Sequence, residues 1–75
     1  MSAADELRAA AKVERDEWGD EIDSYPASSA IHLAVAALLD EVASTWESRP
    51  GPDTEQRAST SPVLKVARAI NGGAS

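Results

Sequence analysis

Apolar residues recur along the chain in three blocks with helical spacing. In the first block Leu7, Ala10, Ala11, Glu14 and Trp18 share one face at a 3.6-residue period, and Glu6, Arg8, Lys12, Arg15, Asp16 and Glu17 take the other. Ser2 followed by Asp5 and Glu6 resembles a capping arrangement, and Gly19 offers a stop, so the spacing predicts a helix over about 3–18. In the second block Ile31, Val35, Leu38, Leu39, Val42 and Trp46 form a stripe, and Ser28 or Ser29 can cap a helix over about 28–47 with Pro26 just outside. Leu33 and Ala37 fall away from that stripe, so the apolar arc is wide. A helix of this kind is either central to a bundle or touches another chain. In the third block Val63, Val66, Ala67 and Ile70 share a face with Leu64 beside it. Ser61 caps, Pro62 takes the first position and Asn71-Gly72-Gly73 closes a helix over about 62–71. Residues 47–61 carry no apolar periodicity and are broken by Arg49-Pro50-Gly51-Pro52, which reads as a mobile polar loop.

The expected fold is all-α, one small helical domain over 1–75. Its architecture is an antiparallel helical hairpin plus a short third helix, a small three-helix bundle. Composition thins the expected core. Hydrophobic residues make up 43% of the 75, but fifteen of those thirty-two are alanine, and there is no Phe. A chain of this length buries only about 60% of its unfolded surface, so dimerisation is a natural way to complete the bundle.

Charge and cysteine usage exclude several functions. With no Cys there is no disulfide framework, Cys-ligated zinc, iron–sulfur cluster or thiol catalysis. Residues 1–24 hold eight acids and three bases, residues 25–47 hold three acids and no base, and residues 48–75 hold two acids and four bases, for a net −6. Such a chain repels phosphates, which argues against direct nucleic-acid binding and against anionic membrane surfaces. The N-terminus is acidic where a secretory signal is basic. The longest apolar run, Leu33 to Leu39, is seven residues against the roughly 20 that span a bilayer. The expectation is a cytoplasmic protein with no membrane contact and no cofactor.

Among candidate chemistries the acidic run Glu14, Asp16, Glu17, Asp20, Glu21 and Asp23 is the most distinctive. It fails the calcium-loop template, because Trp18 or Ile22 stands at the third position and Gly19 is misplaced, so no metal is expected. The run reads either as an acidic recognition surface for a basic protein partner or as a solvated helix end. His32 is the sole histidine; Ser28 and Ser29 precede it by one turn, but no local acid orients its ring, so it reads as an interface histidine rather than a catalytic base. Trp18 and Trp46 lie near helix ends, as core anchors or as an interface hot spot. Arg49, Arg57, Lys65 and Arg68 are expected to pair loosely with the first helix, and Gly72-Gly73 follows a helix rather than opening a phosphate loop.

The opening Ala4-Asp5-Glu6-Leu7-Arg8-Ala9-Ala10-Ala11 and the ending Val63-Leu64-Lys65-Val66-Ala67-Arg68-Ala69-Ile70-Asn71-Gly72-Gly73 resemble short alanine-rich helical proteins of actinobacteria and their phages. The likeness covers about half of the chain and implies no activity, cofactor or site residue. Asp23-Ser24-Tyr25 and Ile70-Asn71-Gly72 are similar to acyl carrier proteins. Tyr25 in place of Leu, Pro26 directly after it, no Gly before Asp23 and a missing long first loop outweigh that similarity.

The function expected from these features is non-catalytic. It is a small acidic protein-binding module acting through the apolar face of helix two, with Trp18, Ile31, Val35, Leu38, Val42 and Trp46 as the contact set and a protein partner or a second copy, a homodimer, as the occupant. The alternative is a phage-type acidic inhibitor that occupies the basic site of a nucleic-acid-binding protein.

Overall fold

The computed structural model describes residues 2–73, which form four helices and no strand: α1 (Ala3–Trp18), α2 (Pro26–Ser48), α3 (Pro52–Ser59) and α4 (Pro62–Gly73). The start of α1 is a full capping box. The Asp5 N–H donates to Ser2 Oγ at 3.1 Å, and the Ser2 N–H donates back to the Asp5 carboxylate at 3.3 Å. The buried face of α1 is Ala3, Ala4, Leu7, Ala10, Ala11 and Glu14, in line with its spacing in the sequence. For α4, the Val63 N–H donates to Ser61 Oγ at 3.2 Å, with Pro62 as the first helical residue.

α1 and α2 pack antiparallel, and charged side chains fix their register. Arg8 near the start of α1 reaches Ser44 at 3.2 Å and Glu47 near the end of α2. Arg15 pairs with Asp40, which also lies 3.6 Å from Arg8, and Glu14 meets His32. The hydrogen bond that Arg8 donates to Glu47, with the charges of Glu47, Asp40 and Asp5 behind it, raises the Arg8 guanidinium above its ordinary pKa. Glu14 is buried in its pair with His32, while the arginine pairs lie at the surface, where solvent screens them. Their consequence is register. α4 lies against α1 on another side, with Arg68 on the Glu6 carboxylate at 3.1 and 3.4 Å and the Asn71 amide donating to the Glu6 carbonyl at 3.2 Å.

The core consists of three leucines and eight alanines: Leu7, Leu39 and Leu64 with Ala3, Ala4, Ala10, Ala11, Ala36, Ala43, Ala58 and Ala67. Small side chains on both helices let the axes approach, and that approach defines the seam. It also overturns the expected stripe of α2. The inward residues are Ser29, Ala36, Leu39 and Ala43, and the branched residues rotate to the flank or outward. α1, not α2, is the central helix, since both α2 and α4 pack mainly on it. On α4, Ala67 is in the core with Val63 and Ile70 packed against it, as expected, but Leu64 goes fully into the core and Val66 out of it.

Three boundaries differ from expectation, the smallest being the end of α4, which runs through Asn71 and Gly72 to Gly73 rather than closing at about 71. α2 begins at Pro26, whose fixed φ suits the first helical position, with Tyr25 as N-cap and no side-chain cap; the Ser29 N–H donates to the Tyr25 carbonyl at 2.9 Å. The segment expected as a mobile loop holds α3, an eight-residue helix with Pro52 at its start, Asp53 and Glu55 in its first turn, Arg57 in its last and Ala58 buried. Its N-cap Gly51 sits at φ 151°, ψ 169°, backbone that side chains other than glycine's rarely adopt. The seven-residue run Leu33–Leu39 also understated the apolar length, because α2 as a whole is long and apolar enough, by length and composition, to cross a bilayer.

Candidate functional site

Two surfaces remain after the helices have packed. The first is the outer side of α2. Ile31 is 66% exposed and Leu38 53% exposed, one heptad apart, while Val35, Val42 and Trp46 lie beside them, half-buried against the core. Of the expected contact set, Ile31 and Leu38 are therefore uncovered, and Val35, Val42 and Trp46 divide between core and surface. The charges of α2 mostly face the seam, where Asp40 and Glu47 are held by Arg15 and Arg8. Glu41 is the one charged α2 side chain, among the described residues, with no ion pair.

The second surface is the end of the hairpin where α1 stops and α2 starts. Here the Glu14 side chain is buried, and its Oε2 accepts a hydrogen bond from Nδ1 of His32. The Trp18 ring stacks on the His32 imidazole with centroids 4.2 Å apart and planes 7° from parallel. Glu14 thus leaves the acidic surface expected of it, and His32 has the orienting acid that its sequence neighbours lack. The acid lies 18 residues away on α1, and the antiparallel pairing brings it in. A carboxylate and an imidazole make two parts of a catalytic triad, and a nucleophile would be the third. Among the described residues no hydroxyl or amine hydrogen-bonds His32, and Ser29, one turn before it, is fully buried with its Oγ unpartnered. What the trio does in the structure is hold Trp18.

Beyond that trio lies an open cavity of about 490 Å³ lined by Glu17, Trp18, Glu21 and Tyr25. The connector between the helices is wound tightly enough to place its walls. The Glu21 N–H donates to the Trp18 carbonyl at 3.2 Å, and the Glu21 carbonyl accepts from Ser24 and Tyr25 at 3.2 and 2.8 Å. Of the acidic run, Asp16 is paired with Lys12 at 3.0 Å, and Glu14 is buried on His32. Glu17, Asp20, Glu21 and Asp23 have no basic partner among the described residues. Glu17 lies in the last turn of α1, and Asp20, Glu21 and Asp23 lie in the connector that leads into α2. Tyr25 is the residue that sequence reasoning passed over. Its signal was an aromatic side chain in an acidic connector, with a proline directly behind it to fix the backbone. At the other end of the hairpin a smaller cleft of about 160 Å³ is lined by Thr45, Trp46, Arg49, Thr54 and Arg57.

No group of side chains among the described residues has the composition to hold a metal ion. No known protein family, curated protein or solved structure matches the chain.

Proposed function

We propose that the chain is a small non-catalytic protein-binding module whose contact surface is the outer side of α2, with a second copy of itself as the occupant. The observation behind this reading is the pair Ile31 and Leu38, two large apolar side chains left in water by a core built from alanine. With Val35 and Val42 they run i, i+4, i+7, i+11, the spacing of a helix–helix seam. The stripe is also self-complementary. An antiparallel two-fold placed between Val35 and Leu38 sets Ile31 against Val42 of the second copy, and Val35 against its Leu38, as an isologous contact requires. Asp40 in the middle of α2, ion-paired to Arg15 across the seam, favours a protein over lipid, since a charged side chain at the bilayer centre costs about 2.5–3.5 kcal/mol.

The test is sedimentation velocity on the wild type and on Leu38→Glu. The wild type should sediment as a dimer that dissociates on dilution, and Leu38→Glu as a monomer with its helical circular dichroism intact, since Leu38 contributes little to the core. A wild type that stays monomeric at millimolar concentration would sink the reading.

A second reading has its own observation, the unpaired carboxylates Glu17, Asp20, Glu21 and Asp23 around one end of the hairpin. It makes the chain an acidic inhibitor that occupies the basic site of a nucleic-acid-binding protein, with binding that weakens steeply as salt is added.

A further inference from the structure

Carboxylates that face water alone attract any cation. Carboxylates that share a cavity with aromatic rings select among cations. The cavity at the α1–α2 turn has two rings, Trp18 and Tyr25, and two carboxylates, Glu17 and Glu21. Each part is placed by a separate feature. Trp18 is fixed by its stack on His32, which is itself hydrogen-bonded to the buried Glu14. Tyr25 is 60% exposed, yet its backbone is held twice, by its N–H on the Glu21 carbonyl and by its own carbonyl on the Ser29 N–H. The ring is thus left mostly open to solvent at the cavity, on a backbone that the turn fixes. The two carboxylates have no basic partner among the described residues.

The chemistry of these four side chains fits one class of ligand, a flat organic cation with an apolar stem. An aromatic face attracts a cation through its quadrupole and arginine in particular, because guanidinium is planar and weakly hydrated and can stack while it donates to carboxylates in its own plane. A hard divalent cation such as calcium or magnesium takes six or more oxygen ligands, which two carboxylates and two rings do not offer. We infer that the cavity lined by Glu17, Trp18, Glu21 and Tyr25 is a receptor for an arginine side chain presented by a basic segment of a partner protein. This rests on the second reading above for the nature of the partner, and is independent of the α2 surface. It goes beyond that reading in naming one anchoring side chain and the pocket that receives it.

The probe is N-acetylated, C-amidated hexa-arginine, titrated at low ionic strength into 15N-labelled protein, with hexa-lysine of the same design as the comparison. The indole N–H of Trp18 should shift on addition while that of Trp46, at the far end of the hairpin, stays in place. Hexa-arginine should bind more tightly than hexa-lysine. Tyr25→Ala should weaken hexa-arginine by about three- to thirtyfold, the range of one cation–π contact, and Tyr25→Phe should restore most of it. Glu17→Gln with Glu21→Gln should weaken both peptides. Tyr25 makes no core contact, so its variants should keep the wild-type circular dichroism. Two results overturn the inference differently. Equal binding of both peptides with no effect of Tyr25→Ala removes the pocket but leaves an acidic surface intact. No binding of either peptide removes both.

Discussion

At the scale of single residues, the most informative side chain is one that does nothing visible. Ser29 is fully buried in the seam of α2, and its hydroxyl has no hydrogen-bond partner. Leaving such a donor unsatisfied costs about 1–3 kcal/mol, and serine is also a poorer helix former than alanine. Alanine is the smaller side chain, so it fits the space that serine fills. Ser29→Ala should therefore stabilise the fold by about 1–2 kcal/mol, read as a thermal midpoint raised by roughly 4–8 °C per kcal/mol for a chain of this size. A lower midpoint would mean that the hydroxyl has a partner in solution. Glu14 and His32 show how far single residues were legible. Glu14 was recognised on the apolar face of α1, and His32 beside the apolar face of α2. Their meeting was not readable, because it depends on the rotation of α2, and that rotation is set by alanines whose spacing carries almost no signal. The same rotation explains why Leu38 and Ile31 were grouped with Leu39 in one stripe, although the structure puts Leu39 inside and the other two outside.

At the scale of elements, α1 and α4 were readable from their caps. Ser2 with Asp5, and Ser61 with Pro62, are local devices whose geometry does not depend on the rest of the fold. α3 was not, for a physical reason. It has a single buried residue, Ala58, so a helix that short leaves no apolar period to detect. Its signals were the punctuation itself, Pro50-Gly51-Pro52, followed by two acids at the positive end of a helix dipole. Gly51 at φ 151° is the hinge on which this depends, because a residue with a Cβ is strained there by about 1–3 kcal/mol. Gly51→Ala should unseat α3 before it affects the hairpin. Amide exchange is the measurement: the Glu55 N–H, bonded to the Gly51 carbonyl at 3.1 Å, should lose protection, while amides in the middle of α1 keep theirs. Unchanged exchange at Glu55 would show that the turn tolerates a side chain and that α3 does not depend on Gly51.

At the scale of the whole molecule, the features of the sequence that looked like weakness turn out to set the shape. Alanine on both sides of the α1–α2 seam brings the helices close and leaves Ile31 and Leu38 of α2 no interior to enter. The result is an elongated body, 43 × 23 × 17 Å, with one long helix lying along it and an apolar stripe on the outside of that helix. A monomer of this kind is stabilised by anything that covers the stripe, and the amount scales with the concentration of the covering partner. If that partner is a second copy, folding and association are linked, and the thermal midpoint should rise by a few degrees for each tenfold increase in protein concentration. Net charge sharpens the test. Two chains of −6 repel each other, so added salt should strengthen a dimer held by Ile31, Val35, Leu38 and Val42. The same salt should weaken capture of a basic peptide at the acidic end. Differential scanning calorimetry across concentration and salt reads both dependences in one molecule. In Leu38→Glu the midpoint should no longer depend on concentration, and the response to salt should fall to that of an isolated acidic chain. A wild-type midpoint that ignores concentration would leave the stripe without its second copy, whatever the fate of the pocket at the other surface.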